Sequence, residues 1–234
     1  MLPDPRNARS LLAGSWTGLW LAEQSAVVHG RVLDLGCGNR PFEPWYGPLA
    51  DFVIAVDPAP GSAHNVLAMA DNLPLRDDSI DTVICTQALE HVDRAEEAIA
   101  EVRRVLRPGG HLVLTVPFLY PTHEAPYDFH RWTYLGLTEM MRRHGLDLID
   151  LSSQGGPVTL IASWLFRFLR SGVDSVGRAV GVRRPLSLMA PFRWFVLGPQ
   201  WAIVRWRGQN GFRLTRWSRA ASNGYLVLAR KPAG

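Results

Sequence analysis

Residues 32–39 read Val-Leu-Asp-Leu-Gly-Cys-Gly-Asn, an apolar run that enters a Gly-x-Gly turn, and this stretch decides the fold. A second apolar run, Ile54-Ala55-Val56-Asp57, ends in an acid about twenty residues later. In a strand–helix–strand unit, the glycines let the backbone approach a ligand closely, and the acid accepts hydrogen bonds from a ribose diol. The pattern therefore predicts a site for a cofactor that carries adenosine.

Two features around this turn indicate which adenosine cofactor fits. The third glycine of a pyrophosphate-binding turn is absent, since Pro41 stands at its place, and Asp34 precedes the first glycine by two residues. A carboxylate there would repel a pyrophosphate, whereas it can hold the ammonium group of an amino acid. S-adenosylmethionine joins adenosine to an amino acid without any phosphate, so the residues favour it over NAD.

At this point the chain resembles the class I S-adenosylmethionine-dependent methyltransferases, especially the type 11 group, over roughly residues 30 to 150. The matching motifs occur in the order that the family has them: Val32 to Gly38, Val53 to Pro58, Asp71-Asn72-Leu73-Pro74-Leu75, Ser79-Ile80-Asp81-Thr82-Val83-Ile84, Ala88-Leu89-Glu90-His91-Val92, Glu101 to Gly110 and His111 to Val116. The chain departs from the family at Asn39-Arg40-Pro41, where many members have small residues.

The resemblance implies a Rossmann-like, doubly wound α/β sheet of seven strands whose last two strands form a reversed hairpin. Alternating apolar runs and helical patterns also predict a parallel sheet. The strands are expected near residues 31–36, 52–57, 64–68, 80–86 and 111–117, with the final two at 146–151 and 224–229.

The resemblance also implies the cofactor contacts. Asp34 is expected near the ammonium group, Asp57 at the ribose, and Asp71 and Asn72 at the adenine, with Gln87 facing the methionine portion. The complete set of expected cofactor-binding residues is Asp34, Gly36, Cys37, Gly38, Asp57, Pro58, Asp71, Asn72, Leu73 and Gln87.

Helix signals follow the fourth and fifth strands. Asp93 is a plausible N-cap, and Glu96 three residues later would complete a capping box for a helix that ends before residues 108–110, Pro-Gly-Gly. A second helix is predicted from Tyr134 to about residue 144, where a glycine ends it.

A polar and aromatic loop, residues 121–133, follows the fifth strand. Ligands of open α/β sheets bind outside the carboxyl ends of the strands, so this loop is expected to lie over the transferable methyl group. A histidine can take the proton of an alcohol acceptor, so His123 is the candidate base, oriented by Glu124 or Asp128, with His130 in reserve. Arg131 could bind an acidic group of the substrate. The alternative is an internal ion-pair network that holds the loop.

The predicted organisation has four parts. Residues 1–30 form a lid or docking helix, 31–156 the cofactor-binding core, 157–219 a helical insertion, and 220–234 the final strand and tail. The insertion carries five of the nine tryptophans, eleven Arg, no Lys and a single acid, so its net charge is +10, whereas the whole chain carries +4. Two apolar helical patches, 160–169 and 192–204, are separated by Gly172, Gly177, Gly181 and Pro185, which are expected to break the helix.

This composition leaves three interpretations of the insertion: a lid over an apolar substrate, a contact with an anionic membrane surface, or a scaffold with a basic face. Nucleic-acid binding is disfavoured because the apolar content is high and no recognised nucleic-acid motif occurs. The sequence holds no long uncharged apolar run, so no transmembrane helix is predicted. A cytoplasmic protein is expected, and the membrane interpretation would place residues 157–219 at the inner face of the membrane.

The sequence predicts no metal site, because Cys37 and Cys85 are the only cysteines and lack paired spacing. The expected activity is O-methylation of a small-molecule, glycan or lipid-linked acceptor. Three alternatives remain: methylation at carbon or nitrogen, a non-catalytic module that binds membrane or nucleic acid, and an NAD-dependent oxidoreductase. The composition is that of an ordinary globular protein.

Overall fold

The structure is a computed structural model that describes residues 11–181 and 215–233. A seven-stranded sheet forms its centre, in the order β3-β2-β1-β4-β5-β7-β6. The strands are β1 Arg31–Leu35, β2 Phe52–Asp57, β3 Val66–Leu67, β4 Ile80–Thr86, β5 Leu106–Pro117, β6 Asp147–Ser153 and β7 Gly224–Arg230. The predicted fold class and the reversed final hairpin are confirmed.

The pairing directions divide the sheet into two parts. Strands β1 to β5 pair in parallel, with Val32 opposite both Val53 and Thr82. Strand β7 then enters antiparallel between β5 and β6, where Leu228 pairs with Val113. The central strands β1 and β4 are buried along nearly their whole length, as expected for parallel strands covered on both faces.

The described helices are α1 Leu11–Glu23, α2 Glu43–Tyr46, α3 Ala95–Val105, α4 Tyr134–Arg143, α5 Pro157–Ala179 and α6 Arg216–Ala220. Alternate residues of each strand point to opposite faces, so the sheet has a hydrophobic cluster on each side. Helices α3 and α4 supply one cluster with residues such as Ile99 and Met141. Helix α1 supplies the other through Trp20 and Leu21, which pack with Tyr46 of α2.

The predicted capping box of α3 is wrong. The N-cap residue is Arg94, which makes no side-chain capping bond. Glu96 is instead engaged by the end of α4, where its carboxylate accepts hydrogen bonds from Arg143 Nη2 at 2.6 Å and pairs with His144 Nε2 at 2.7 Å. Glu96 thus makes charged contacts with a distant helix in place of the local capping bond. A capping bond stabilises a helix by only about 1 kcal/mol.

The predicted helix breaks at Gly172 and Gly177 are also wrong, because α5 runs through both and ends at Ala179. A glycine inside a helix costs only about 1 kcal/mol relative to alanine, and the other residues of this long helix offset that cost. The break at Gly181 agrees with the structure. Pro185, the apolar patch 192–204 and three tryptophans at 194, 201 and 206 lie outside the described residues.

Candidate active site

A cavity of about 740 Å³ opens at the carboxyl ends of β1, β2 and β4. This edge is where parallel α/β sheets bind ligands, and the volume lies within the usual range for small-molecule sites. Six of the expected cofactor residues line it: Gly36, Cys37, Gly38, Asp57, Pro58 and Gln87. The stretch that contains the two glycines and the stretch that ends in Asp57 therefore meet at one cavity.

The two glycines of the turn serve different purposes. Gly36 has φ +70°, and a Cβ there would lie 2.3 Å from Ala88 Cβ, so a larger residue would collide with the segment after β4. Gly38 has φ +50°, and a Cβ there would meet no atom of the described residues within 4 Å. Gly36 thus permits close packing of the backbone, whereas Gly38 leaves open space on the cavity side.

The Asp57 carboxylate sits at the end of β2 with one bond on each oxygen. Its Oδ2 accepts from the Gly38 N–H at 2.9 Å, and its Oδ1 accepts from the Ala59 N–H at 2.8 Å. A carboxylate can accept about four hydrogen bonds, so two positions stay available for a ribose diol. The N–H groups of Gly38 and Ala59 therefore fix the Asp57 carboxylate at the cavity wall.

Asp34 does not line the cavity. It is buried on β1, and the Tyr46 hydroxyl donates a hydrogen bond to its Oδ2. Burial raises the pKa of Asp34 to about 6, more than the Tyr46 bond lowers it. Tyr46 was not anticipated from the sequence, since an aromatic residue in a short helix carries no signal for such a contact.

The expected adenine contacts, Asp71 and Asn72, and the neighbouring cofactor residue Leu73 are not part of the cavity lining. Asp71 pairs with Arg94 Nη2 at 2.5 Å, and the Leu73 N–H donates to Glu101 Oε2 at 2.8 Å. Asn72 is exposed. None of these three lines the cavity, whose wall at this point consists of Ala68, Met69 and Ala70.

Gln87 follows β4 in a left-handed conformation with φ +51°. Its backbone N–H donates to the Thr115 carbonyl at 3.0 Å, and its side-chain Nε2 donates to Thr115 Oγ1 at 3.1 Å. These bonds fix Gln87 against β5 at the cavity wall. Cys37 also lines the cavity, and burial raises the pKa of its thiol to about 11, so it stays protonated at neutral pH.

The loop after β5 is organised around the Asp128 carboxylate. Arg131 donates to both carboxylate oxygens, from Nη1 at 2.6 Å and from Nη2 at 2.7 Å. The His123 N–H donates to Oδ2 at 2.8 Å, and His123 Nδ1 lies 3.3 Å from the same oxygen. Arg131 is therefore committed to an internal pair, and the pair positions His123.

Glu90 is a residue of this site that sequence reasoning missed. Its side chain is fully buried, and neither carboxylate oxygen has a hydrogen-bond partner within the described part of the chain. Burial raises the pKa of Glu90 to about 8. Its Oε1 lies 3.8 Å from His91 Nε2 and 3.9 Å from His123 Nε2. The sequence did carry a signal for this residue. Glu90 and His91 follow the buried strand β4 at the ligand edge of the sheet.

The two remaining candidate residues of the loop, Glu124 and His130, have different surroundings. Glu124 is largely exposed and lines the cavity, with its Oε2 3.8 Å from His91 Nε2. The His130 ring faces the Asp93 carbonyl, 3.0 Å from Nε2. The structure therefore brings Glu124, Asp128, Arg131 and His123 together around Glu90 and His91, and it places His130 with a different partner.

The Asp128–Arg131 pair predicts acid sensitivity. The Arg131 bonds hold the pKa of Asp128 well below its usual range, so the pair stabilises the fold above about pH 4. As the pH falls below that value, the unfolded chain takes up the proton first, and the stabilisation falls by about 1.4 kcal/mol per pH unit. We expect Asp128→Asn to lose about 1.5–3 kcal/mol of unfolding free energy at pH 6. Urea unfolding at pH 6 and pH 3 should show the gap between wild type and variant narrowing at pH 3; an equal gap would contradict the assignment.

Comparison with known proteins finds a family that the chain resembles. Residues 33–114 match the family model described as a methyltransferase domain. Over these residues, about a third of the chain, the protein is similar to the S-adenosylmethionine-dependent methyltransferases, and its seven-stranded sheet agrees with that similarity. The cofactor of that family is S-adenosylmethionine.

Individual relatives agree with this family. An uncharacterized methyltransferase of Mycobacterium ulcerans is 33% identical, over 61% of this chain and 64% of the relative. An uncharacterized methyltransferase of Mycobacterium tuberculosis is 40% identical, over 41% of this chain and 42% of the relative. The chain thus spans less than two thirds of the length of these curated relatives.

Solved structures share the fold at low identity. The [4+2]-cyclase SpnF superposes with a TM-score of 0.61 at 20% identity, covering 99% of this chain and 85% of that one. The phosphoethanolamine N-methyltransferase 2 of Haemonchus contortus, solved with S-adenosyl-L-methionine, gives a TM-score of 0.55 at 12% identity, covering 98% and 60%.

Proposed function

We propose that the chain transfers a methyl group from S-adenosylmethionine to an oxygen atom of a small-molecule, glycan or lipid-linked acceptor. The observation that carries this proposal is the single cavity that joins the Gly36–Gly38 turn and Asp57 to His91 and Glu124. One end thus has the features of a nucleoside site, and the other leads to the cluster of Glu90, His91 and His123.

The chain's own residues fit the cofactor. The open space beside Gly38 accepts a ligand against the backbone, and Asp57 has spare acceptor positions for ribose hydroxyls. Gln87 and Cys37 line the same wall. When bound, S-adenosylmethionine supplies a methyl group on a positively charged sulfur, which is a good leaving group.

His123 is the proposed base for the acceptor. Burial lowers the pKa of His123, more than Asp128 raises it, so its ring is neutral at neutral pH and can accept a proton. In the transfer, the acceptor oxygen forms a bond to the methyl carbon while the carbon–sulfur bond breaks, and the electron pair of that bond stays on sulfur. The acceptor proton moves to His123, so charge is conserved. Positioning of the two reactants supplies the rest of the rate.

The test is an assay for S-adenosylhomocysteine release with matched acceptors that present a hydroxyl, an amine or an activated carbon. Because a fold neighbour is named a cyclase, the methylated product must be identified by mass spectrometry. Product methylated at oxygen supports the proposal, and product methylated only at nitrogen or carbon contradicts it. Thermal shift against S-adenosylhomocysteine and NAD checks the cofactor, since a ligand at one hundred times its Kd stabilises by about 2.7 kcal/mol.

We also propose that the insertion contacts an anionic membrane surface and recruits a lipid-linked acceptor at the inner face of the membrane. Helix α5 exposes apolar side chains at helical spacing: Val158, Ile161, Trp164, Leu165, Phe168 and Leu169. Arginines at 167, 170 and 178 lie on the same helix, and Trp217 of α6 is 74% exposed. None of the helices in residues 11–181 and 215–233 has the length and hydropathy needed to cross a bilayer. Such a contact would therefore involve the surface of the membrane.

For this surface we expect preferential binding to anionic vesicles at low salt. Each arginine near the lipid contributes about 1 kcal/mol, and salt screens the attraction. Co-sedimentation with phosphatidylcholine vesicles, with and without phosphatidylserine, at two salt concentrations measures the effect. Phe168→Ser should weaken binding, whereas Phe52→Ser, at an exposed residue of β2, is the matched control. Equal binding to both vesicle types at low salt would leave the insertion as a lid or scaffold.

A further inference from the structure

We propose that Glu90, His91 and His123 form a binding site for a first-row divalent transition-metal ion, with Zn²⁺ as the defining probe. One ligand atom from each side chain lies within 4.8 Å of the other two. The site rests on these side chains alone, and it stands whether or not the methyl acceptor is an oxygen atom. Metal binding at His123 Nε2 and use of that nitrogen as the base are alternative roles for His123, and the titration below distinguishes them.

The distances are those of ligands that can close on one ion. Glu90 Oε1 lies 3.8 Å from His91 Nε2 and 3.9 Å from His123 Nε2. Ligand atoms around a tetrahedral Zn²⁺ lie about 3.4 Å apart, since each metal–ligand bond is about 2.1 Å long. The two distances from Glu90 need to close by about 0.5 Å, and the widest separation in the cluster, within 4.8 Å, by up to about 1.4 Å. His91 and His123 are both partly exposed, so small rotations of their rings are available.

The second nitrogen of His91 has a hydrogen-bonded oxygen beside it, as metal-binding histidines do. His91 Nδ1 lies 2.6 Å from the Tyr127 carbonyl oxygen, which can only accept, so this nitrogen carries the proton and Nε2 has a free lone pair. His123 Nδ1 lies 3.3 Å from Asp128 Oδ2 without forming a hydrogen bond within the described residues, and Arg131 holds that carboxylate in place. Both Nε2 atoms therefore face Glu90 as potential ligands.

The Glu90 carboxylate supplies the independent observation. It is fully buried, its Oε1 lies within 3.9 Å of both Nε2 atoms, and neither oxygen has a hydrogen-bond partner in the described residues. A buried polar group without a partner costs about 1–3 kcal/mol, and more when it is charged, so native proteins rarely keep one without a role. A cation between Glu90 and the two imidazoles would satisfy this carboxylate.

The donor set selects the class of ion. Two imidazoles and one carboxylate suit Zn²⁺, Fe²⁺, Co²⁺ or Ni²⁺, whereas Mg²⁺ and Ca²⁺ prefer oxygen ligands alone. Three protein ligands leave a coordination position open, as in catalytic rather than structural zinc sites. His91 lines the cavity, so the open position is within reach of a molecule bound there, and Glu124 is near enough to be a further ligand.

The test is metal titration of full-length, tag-free protein that has been stripped with a chelator. We expect one Zn²⁺ per chain, measured by competition with a chromophoric chelator, and visible absorption bands on loading with Co²⁺. Glu90→Gln, His91→Ala and His123→Ala should each weaken Zn²⁺ binding by at least about 100-fold, and Asp128→Asn by about 10–100-fold. His144→Ala, which removes an imidazole paired with Glu96 away from the cavity, is the matched control and should bind as wild type does.

Two outcomes would overturn the proposal. One is wild-type protein that takes up no stoichiometric Zn²⁺ or Co²⁺; the other is uptake that survives in all three ligand variants. Glu90→Gln preserves volume, and calorimetry with S-adenosylhomocysteine confirms that each variant is folded. Failure to bind Zn²⁺ would refute the metal site and leave the proposed methyl transfer standing, because the methyl-transfer assay is a separate measurement.

Discussion

His123→Ala is expected to lower the turnover number by about 10²–10⁴, the usual contribution of a general base. The ring is partly exposed and lies beside His91, with their ring centroids 4.8 Å apart. Its backbone N–H and Nδ1 both lie near Asp128. The substitution removes the proton acceptor and keeps the backbone bond, so the loop should stay ordered. The measurement is the steady-state rate with the identified acceptor, alongside the affinity for S-adenosylhomocysteine, which should change only slightly.

A matched control separates catalysis from general loss of stability. His144→Ala removes another histidine that is paired with a carboxylate, but His144 does not line the cavity. It should retain normal turnover. A His123→Ala enzyme that keeps most of its turnover would refute the role of His123 and favour a purely structural loop. Loss of turnover fits either a base or a metal ligand, and the Zn²⁺ titration distinguishes these two roles.

Asp57→Ala is expected to weaken binding of S-adenosylmethionine by about 1.5–3 kcal/mol, or roughly 10–150-fold in Kd. The variant lacks the carboxylate proposed to bind the ribose hydroxyls, and the Gly38 and Ala59 N–H groups lose their shared acceptor. The turn that forms the cavity wall therefore loosens at the same time. Isothermal titration calorimetry with S-adenosylhomocysteine gives the affinity directly.

The control for Asp57 is another aspartate with a defined partner. Asp77 is exposed and pairs with Arg104 Nη1 at 2.6 Å, and it does not line the cavity. Asp77→Ala should leave the affinity unchanged. Wild-type affinity in Asp57→Ala would show that the adenosine end binds elsewhere, and undetectable binding by the intact protein would remove the basis for the proposed activity.

The sheet was predictable because its signals are local. Parallel central strands are covered on both faces, so β1 and β4 are buried along nearly their whole length, and the Gly-x-Gly turn and Asp57 mark the ligand edge of the sheet. The positions of Gly36, Gly38 and Asp57 at one cavity agree with that interpretation. Their contacts with the cofactor remain predictions.

The errors arise where a distant partner outweighs a local preference. Glu96 pairs with residues of α4 almost fifty positions away, which a search for capping boxes does not detect. Asp34 belongs to the expected motif, but Tyr46 and burial hold its carboxylate away from the cavity. Glu90 was missed because it stands out only through its contacts with the rings of His91 and His123. His123 lies more than thirty residues later, and the sequence does not show that the fold brings it to Glu90.

The place of β7 between β5 and β6 bears on how the protein is made. When a ribosome has completed β5, the strand that will cover its open edge lies about 100 residues downstream, which takes about 5–20 s to synthesise. Through that interval a buried, apolar strand offers its unpaired amide and carbonyl groups to any neighbouring nascent chain. The late strand therefore makes this fold dependent on protection during translation, and slow translation or chaperone depletion should reduce its yield more than it would for a sheet paired in sequence order.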